Sequence, residues 1–279
     1  MSLTARMLLL PSWLLLTILV LLAVALSLVG LRLVKRRIPH YVMKSHNDVA
    51  GFIFATIGVM YGVILGFAIY MVWADFNGTK ITVAMECAEI LGLYHDLALH
   101  PDAQGAQDIQ QRLMDLTRLV IQDEFPAMAR MEQSQISREA MDRIWFSLRK
   151  LRSENDHALV IFQEVLQDMN RLEKLRLERL EAAQNVVPGV MWLTMFLGAL
   201  ITISFTFFFG SENAWAQVIM TALLAAMLAT MIFVVMELDH PFVGGASVKT
   251  DHYARVLQLM VESGGPGISR RQALVMASR

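Results

Sequence analysis

Between Asp48 and Asp75 the chain runs for 26 residues without a formal charge, VAGFIFATIGVMYGVILGFAIYMVWA. As a helix this run is about 39 Å long, against a hydrocarbon core of about 30 Å. It therefore crosses a bilayer with room to tilt. Its small residues Gly51, Ala55, Gly58, Gly62 and Gly66 recur at steps of four, three, four and four, which places them on one stripe. A smooth stripe lets another helix backbone come close, and close packing replaces the hydrophobic drive that lipid removes.

Three further runs have the same character. Met7 to Leu31 is uncharged for 25 residues, longer than the core of a cleavable signal, and ends in Arg32, Lys35, Arg36 and Arg37, so a retained span is expected. Val186 to Gly210 and Asn213 to Met236 supply two more, joined by a tight turn through Ser211 and Glu212. Pro188 stands where a helix can begin. Only 18% of the 279 residues are charged, against about 25% in soluble domains. The fold class that results is all-α, a polytopic membrane protein with four transmembrane helices, and its first partner is the lipid bilayer.

Basic residues near span ends set orientation. Only Arg6 precedes the first span, whereas Arg32, Lys35, Arg36, Arg37 and Lys44 follow it. The protein is expected in the cell (inner) membrane, with the short loop between the first two spans in the cytoplasm and both termini and the central domain outside. Arg171, Lys174, Arg176 and Arg179 ahead of the third span weigh the other way.

The chain then divides as 1–76 (two spans and a basic loop), 77–185 (an extramembrane helical domain), 186–237 (two spans) and 238–279 (a turn, a short helix and a tail). The central 109 residues carry 13 Lys and Arg against 18 Asp and Glu. Apolar spacing and breaks at Pro101, Pro126 and Ser153 predict helices near 79–99, 103–124, 137–151 and 154–184, with Ser153-x-x-Asp156 as a capping box. The last of these is expected to continue through Asn185 into the third span. In it Leu159, Phe162, Leu166, Met169, Leu172 and Leu175 alternate by three and four, a seam that packs either within the chain or between subunits. After the fourth span Pro241, Gly244 and Gly245 turn the chain, a short helix covers about 250–262, and Gly264 to Gly267 breaks it.

Asn47-Asp48-Val49-Ala50-Gly51-Phe52, the Gly58 to Gly66 body with Tyr61, Glu86-Cys87-Ala88 and Leu238-Asp239-His240-Pro241-Phe242 together resemble the bacterial bestrophin-like proteins. The resemblance covers nearly the whole chain after the first span. It implies four spans with a helical domain between the second and third. Bestrophins are oligomeric anion channels, so it also implies a homo-oligomer and inorganic ions as partners. The aromatic, proline-containing neck of bestrophins has its nearest counterpart in Gly51-Phe52-Ile53-Phe54, which lacks the proline.

Candidate site residues are polar or bulky groups at span ends. Asn47 and Asp48 either cap the second span or ring the mouth of a pore, where acids would select against anions. Phe52 and Phe54 are candidates for an apolar gate, and Gly51, Gly58, Gly62 and Gly66 for helix packing. Glu86, Glu237, Asp239 and His240 form a candidate polar cluster at the membrane end; an imidazole beside carboxylates can change charge near neutral pH, but such residues in a surface turn are more often a solvated cap with structural hydrogen bonds, and no metal is expected. The single cysteine, Cys87, excludes an intrachain disulfide. There is no G-x-S-x-G, P-loop, H-E-x-x-H or C-x-x-C, so neither an enzyme nor a cofactor is expected, and a net charge of -1 gives no reason to expect nucleic acid. Uncharged span interiors argue against a proton-coupled transporter. Two functions remain: an oligomeric channel lined by the second span, and a membrane-anchored interaction or sensory module.

Overall fold

The computed structural model describes residues 7, 10–37, 47–151, 155–209 and 213–263. Four of its helices are long and apolar enough to cross a membrane: α1 (Ser12–Arg37), α2 (Asn47–Ala98), α7 (Gly189–Thr206) and α8 (Ala214–Leu238). Between α2 and α7 lie α3 (Ala103–Leu119), a π-helical turn (Val120–Glu124), α4 (Phe125–Ala129), α5 (Gln135–Leu148) and α6 (Asp156–Ala182), and α9 (Asp251–Glu262) closes the described chain. The chain separates into a membrane unit, Ser2–Phe76 with Val186–Ala246, and an extramembrane unit, Asn77–Asn185 with Ser247–Arg279. The turn at 239–246 thus groups with the spans rather than with the C-terminal segment.

In the membrane unit α1 packs chiefly on α8. The second span contributes Tyr61, Leu65, Ala68 and Val72 to a core with Met195 and Ala199 of α7 and Leu228 and Val235 of α8. These four residues repeat by four, three and four, which is the stripe of an α-helix that faces a neighbour. Tyr61 donates its hydroxyl to the Met195 carbonyl at 2.8 Å. Its ring lies where a side chain at Gly198 would begin, so only glycine admits this contact.

Several helix boundaries differ from the sequence expectation. The second span and the predicted 79–99 helix are one 52-residue helix, because Asn77, Gly78 and Thr79 are weak helix formers without being breakers. Pro126 does not end the helix begun at Ala103. The chain widens into the π turn just ahead of it and continues to Ala129, which absorbs the clash a proline makes with the preceding turn. Residues 135–148 and 156–182 replace the expected 137–151 and 154–184. Ser153 lies outside the described residues; Asn155 caps α6 instead, accepting from the Ala158 amide at 2.7 Å.

α6 also stops at Ala182 and does not run through Asn185 into the third span. Pro188 caps α7, and it has no backbone N–H to donate the hydrogen bond that a continuous helix would need there. The turn through 210–212 and the tail from 264 lie outside the described residues, but Asn213 caps α8, accepting from the Trp215 and Ala216 amides at 3.0 and 3.3 Å.

Candidate functional site

The predicted seam of α6 holds at Met169, Leu172 and Leu175, whereas in its first half Ala158 and Val165 are buried and Leu159 is exposed. Extended by the same steps of four and three, the stripe Val165, Met169, Leu172 reaches Arg176 and Arg179, both buried. Two arginines on the core side of a helix require partners, and the π turn and α2 supply them. Arg179 donates through Nε and Nη2 to the two carboxylate oxygens of Glu86 at 2.6 and 3.0 Å, and through Nη2 to Glu124 at 2.7 Å. Arg176 donates to the other oxygen of Glu124 at 2.8 Å. The guanidinium of Arg179 also lies 5.4 and 5.6 Å from the ring centres of Phe125 and Tyr253, close enough for cation–π attraction.

Burial pushes the Glu124 carboxyl up, but Arg179 and Arg176 outweigh it and hold the group below its usual range. Burial next to Glu86 raises the Cys87 thiol well above its ordinary value, which makes it inert. The sequence reading counted Arg176 and Arg179 as a basic flank of the third span and did not recognise Glu124. The available signal was their place on the apolar stripe of α6.

Glu86 belongs to the extramembrane unit, where Arg179 holds it. Glu237, Asp239 and His240 lie in the membrane unit and have separate tasks. Glu237 accepts on one oxygen from the Ser12 hydroxyl at 2.7 Å and the Gly245 and Ala246 amides at 2.7 and 3.1 Å. It ties the start of α1 to the turn after α8. Asp239 accepts from the Val187 amide at 2.6 Å and so holds the start of the third span to the end of the fourth.

His240 is buried, its Nδ1 3.5 Å from Asp239. Burial lowers its affinity for a proton, against the pull of Asp239, and burial likewise raises the Asp239 carboxyl, opposed by the Val187 amide and His240. Among the described residues no group of three or more His, Cys, Asp and Glu is placed to hold a metal ion.

The second span offers a different kind of site. A Cβ added at Gly58, Gly62 or Gly66 meets no atom within 4 Å. The glycines stand one residue, about 100° of helix, beyond the packed positions Tyr61 and Leu65. The same open side carries Val59, Met60, Val63, Phe67 and Tyr70, all exposed. A Cβ at Gly51 would come no nearer than 4.0 Å to Phe209.

The two phenylalanines at the start of α2 part company. Phe54 packs on Phe205 and Phe209, with ring centres 6.3 and 5.6 Å away, whereas Phe52 is 78% exposed. Asn47 and Asp48 open α2; their side chains lie outside the described ones. The arrangement is a long helix packed on one side, with the other side charge-free between Asp48 and Asp75, lined with glycine, and carrying one bare aromatic ring near its beginning.

A family model described as a bestrophin-like domain matches residues 21–253. Among curated proteins none matches the chain. Among solved structures it is similar to a bacterial bestrophin homologue from Klebsiella pneumoniae phased with zinc, at 12% identity and a TM-score of 0.64, over 90% of this chain and 99% of that one. A point variant of the same Klebsiella protein matches at 12% identity and a TM-score of 0.64, over 89% and 99%. At such identity the likeness concerns the fold.

Proposed function

Because the chain belongs to the bestrophin-like family, we propose that it is an oligomeric ion channel whose second span lines the ion path. The observation that carries this reading is the bare face of α2: Gly58, Gly62 and Gly66 have nothing within 4 Å of an added Cβ, while Tyr61 and Leu65, one residue before Gly62 and Gly66, are buried. Glycine in a span that packs nothing within its own chain gives room for a second copy to approach. A charge-free path with a ring at one end needs no titratable relay, since an apolar constriction gates by excluding water.

For topology we place the loop between α1 and α2 in the cytoplasm of an inner-membrane protein, and both termini and the extramembrane unit outside. The basic residues behind the first span support this. Of the four that oppose it, Arg176 and Arg179 are buried against Glu124 and Glu86 and no longer act as free charge at the membrane surface; Arg171 and Lys174 remain exposed.

Purified protein in planar bilayers, under asymmetric potassium chloride, should give unitary currents that protein-free membranes lack, with a reversal potential that reports the sign of the ion. Silence from a folded, correctly assembled preparation would leave the membrane-anchored interaction module as the better account.

A further inference from the structure

A cavity of about 530 Å³ in the extramembrane unit is lined by the first half of α5 and the second half of α6. That volume lies in the range of small-molecule sites. Its lining carries both signs of charge, with Arg138 and Arg176 on the one hand and Asp142, Glu173 and Glu181 on the other. The side chain of Arg176 is only 8% exposed; Nη2 is engaged by Glu124, and Nε is a buried donor with no protein partner. Ser134, also on the wall, caps α5 by accepting from the Ser137 amide at 3.0 Å, so the positive end of that helix meets the same space.

A plain anion would face three carboxylates, and a plain cation would face two guanidinium groups. A molecule with one carboxylate and one ammonium matches both halves of the lining, through charge-assisted hydrogen bonds. We propose that this cavity binds a small zwitterion of the amino-acid class, its carboxylate toward Arg138 and Arg176 and its ammonium toward Asp142, Glu173 and Glu181. The site is independent of the channel reading, because its residues lie on α5 and α6 and its occupancy is read without ion flux.

Calorimetric titration of the full-length protein in detergent with each of the standard amino acids tests the assignment, followed for any that binds by the amine without the carboxylate and the acid without the amine. At least one amino acid should saturate one site per chain, with both truncated relatives about tenfold weaker or worse. Arg138→Gln and Glu181→Gln, both at exposed positions, should each weaken it about tenfold without moving the melting midpoint or oligomer size. Arg176→Lys, which keeps a charge for Glu124 but loses the planar guanidinium, should do the same to binding. The proposal is overturned if no amino acid binds, if a truncated relative binds as tightly as its parent, or if all three variants bind like wild type.

Discussion

Arg179 and Glu86, 93 residues apart in the chain, meet through two parallel hydrogen bonds with 0% and 1% of their side chains exposed. The pair joins α2 to α6, and Glu124, presented by the π turn, completes it from a third element. Removing one partner of such a pair leaves an uncompensated buried charge, at a cost of about 3–5 kcal/mol. Arg179→Met should therefore lower the unfolding midpoint strongly. Glu86→Gln should cost less, because Glu124 still faces the guanidinium, and the double variant should cost less than the sum. Circular-dichroism melts in detergent measure all three, and an Arg179→Met melt that coincides with wild type would refute the structural role.

The glycines of the two spans should behave oppositely. Gly198→Ala drives a methyl into the Tyr61 ring, an overpacking that costs about 1–3 kcal/mol, and should lower folded yield. Gly62→Ala should be silent in a single chain, while Gly62→Leu should reduce oligomer size by holding copies apart. Size-exclusion profiles of the three variants separate the cases; Gly62→Leu that assembles as well as Val63→Leu would place the stripe against lipid.

Phe52 and Phe54 are two positions and about 200° apart on the helix, and only Phe52 is bare. Phe52→Ser should raise ion flux into reconstituted vesicles with little change in melting. Phe54→Ser should chiefly destabilise the contact with Phe205 and Phe209. Flux unchanged by Phe52→Ser in vesicles where wild type conducts would remove that ring from the gate.

Asp168 of α6 is pushed up to about 6 by burial first, then by a hydrogen bond with Asp96 and the charges of Glu89, Asp96 and Glu164, with Arg171 at 3.7 Å as the opposing charge. The folded state holds this proton to higher pH than the unfolded chain, whose value is near 3.8. Its contribution is therefore fully present below about pH 4 and is lost as pH rises through about 6. Asp168→Asn should stabilise the protein by ~1–3 kcal/mol at neutral pH, with the gain vanishing in acid. Melts across that interval check the slope, and a gain independent of pH would contradict it.

Orientation is testable in a Cys87→Ser background. An impermeant maleimide on intact cells should label a cysteine placed at Gln104, an exposed position of α3, and spare one at Ser45. The reverse pattern would turn the protein over.

The sequence by itself determined the four spans and the all-helical class, because a membrane helix needs only a sufficient local run without charge. It also placed the glycine stripe on one side of α2, since a helix period is a local property. Which side of α2 packs within the chain was a tertiary decision, made by Tyr61 and Leu65 meeting α7 and α8, and nothing in the apolar run around Gly198 foretold that a ring would rest on it. The same holds for Arg176 and Arg179. A charge near a span end reads as solvated until a carboxylate from a distant helix arrives, and here Glu86 comes from α2 and Glu124 from the π turn. Local spacing sets the face a residue occupies, whereas burial of a charge depends on partners that the fold alone brings within reach.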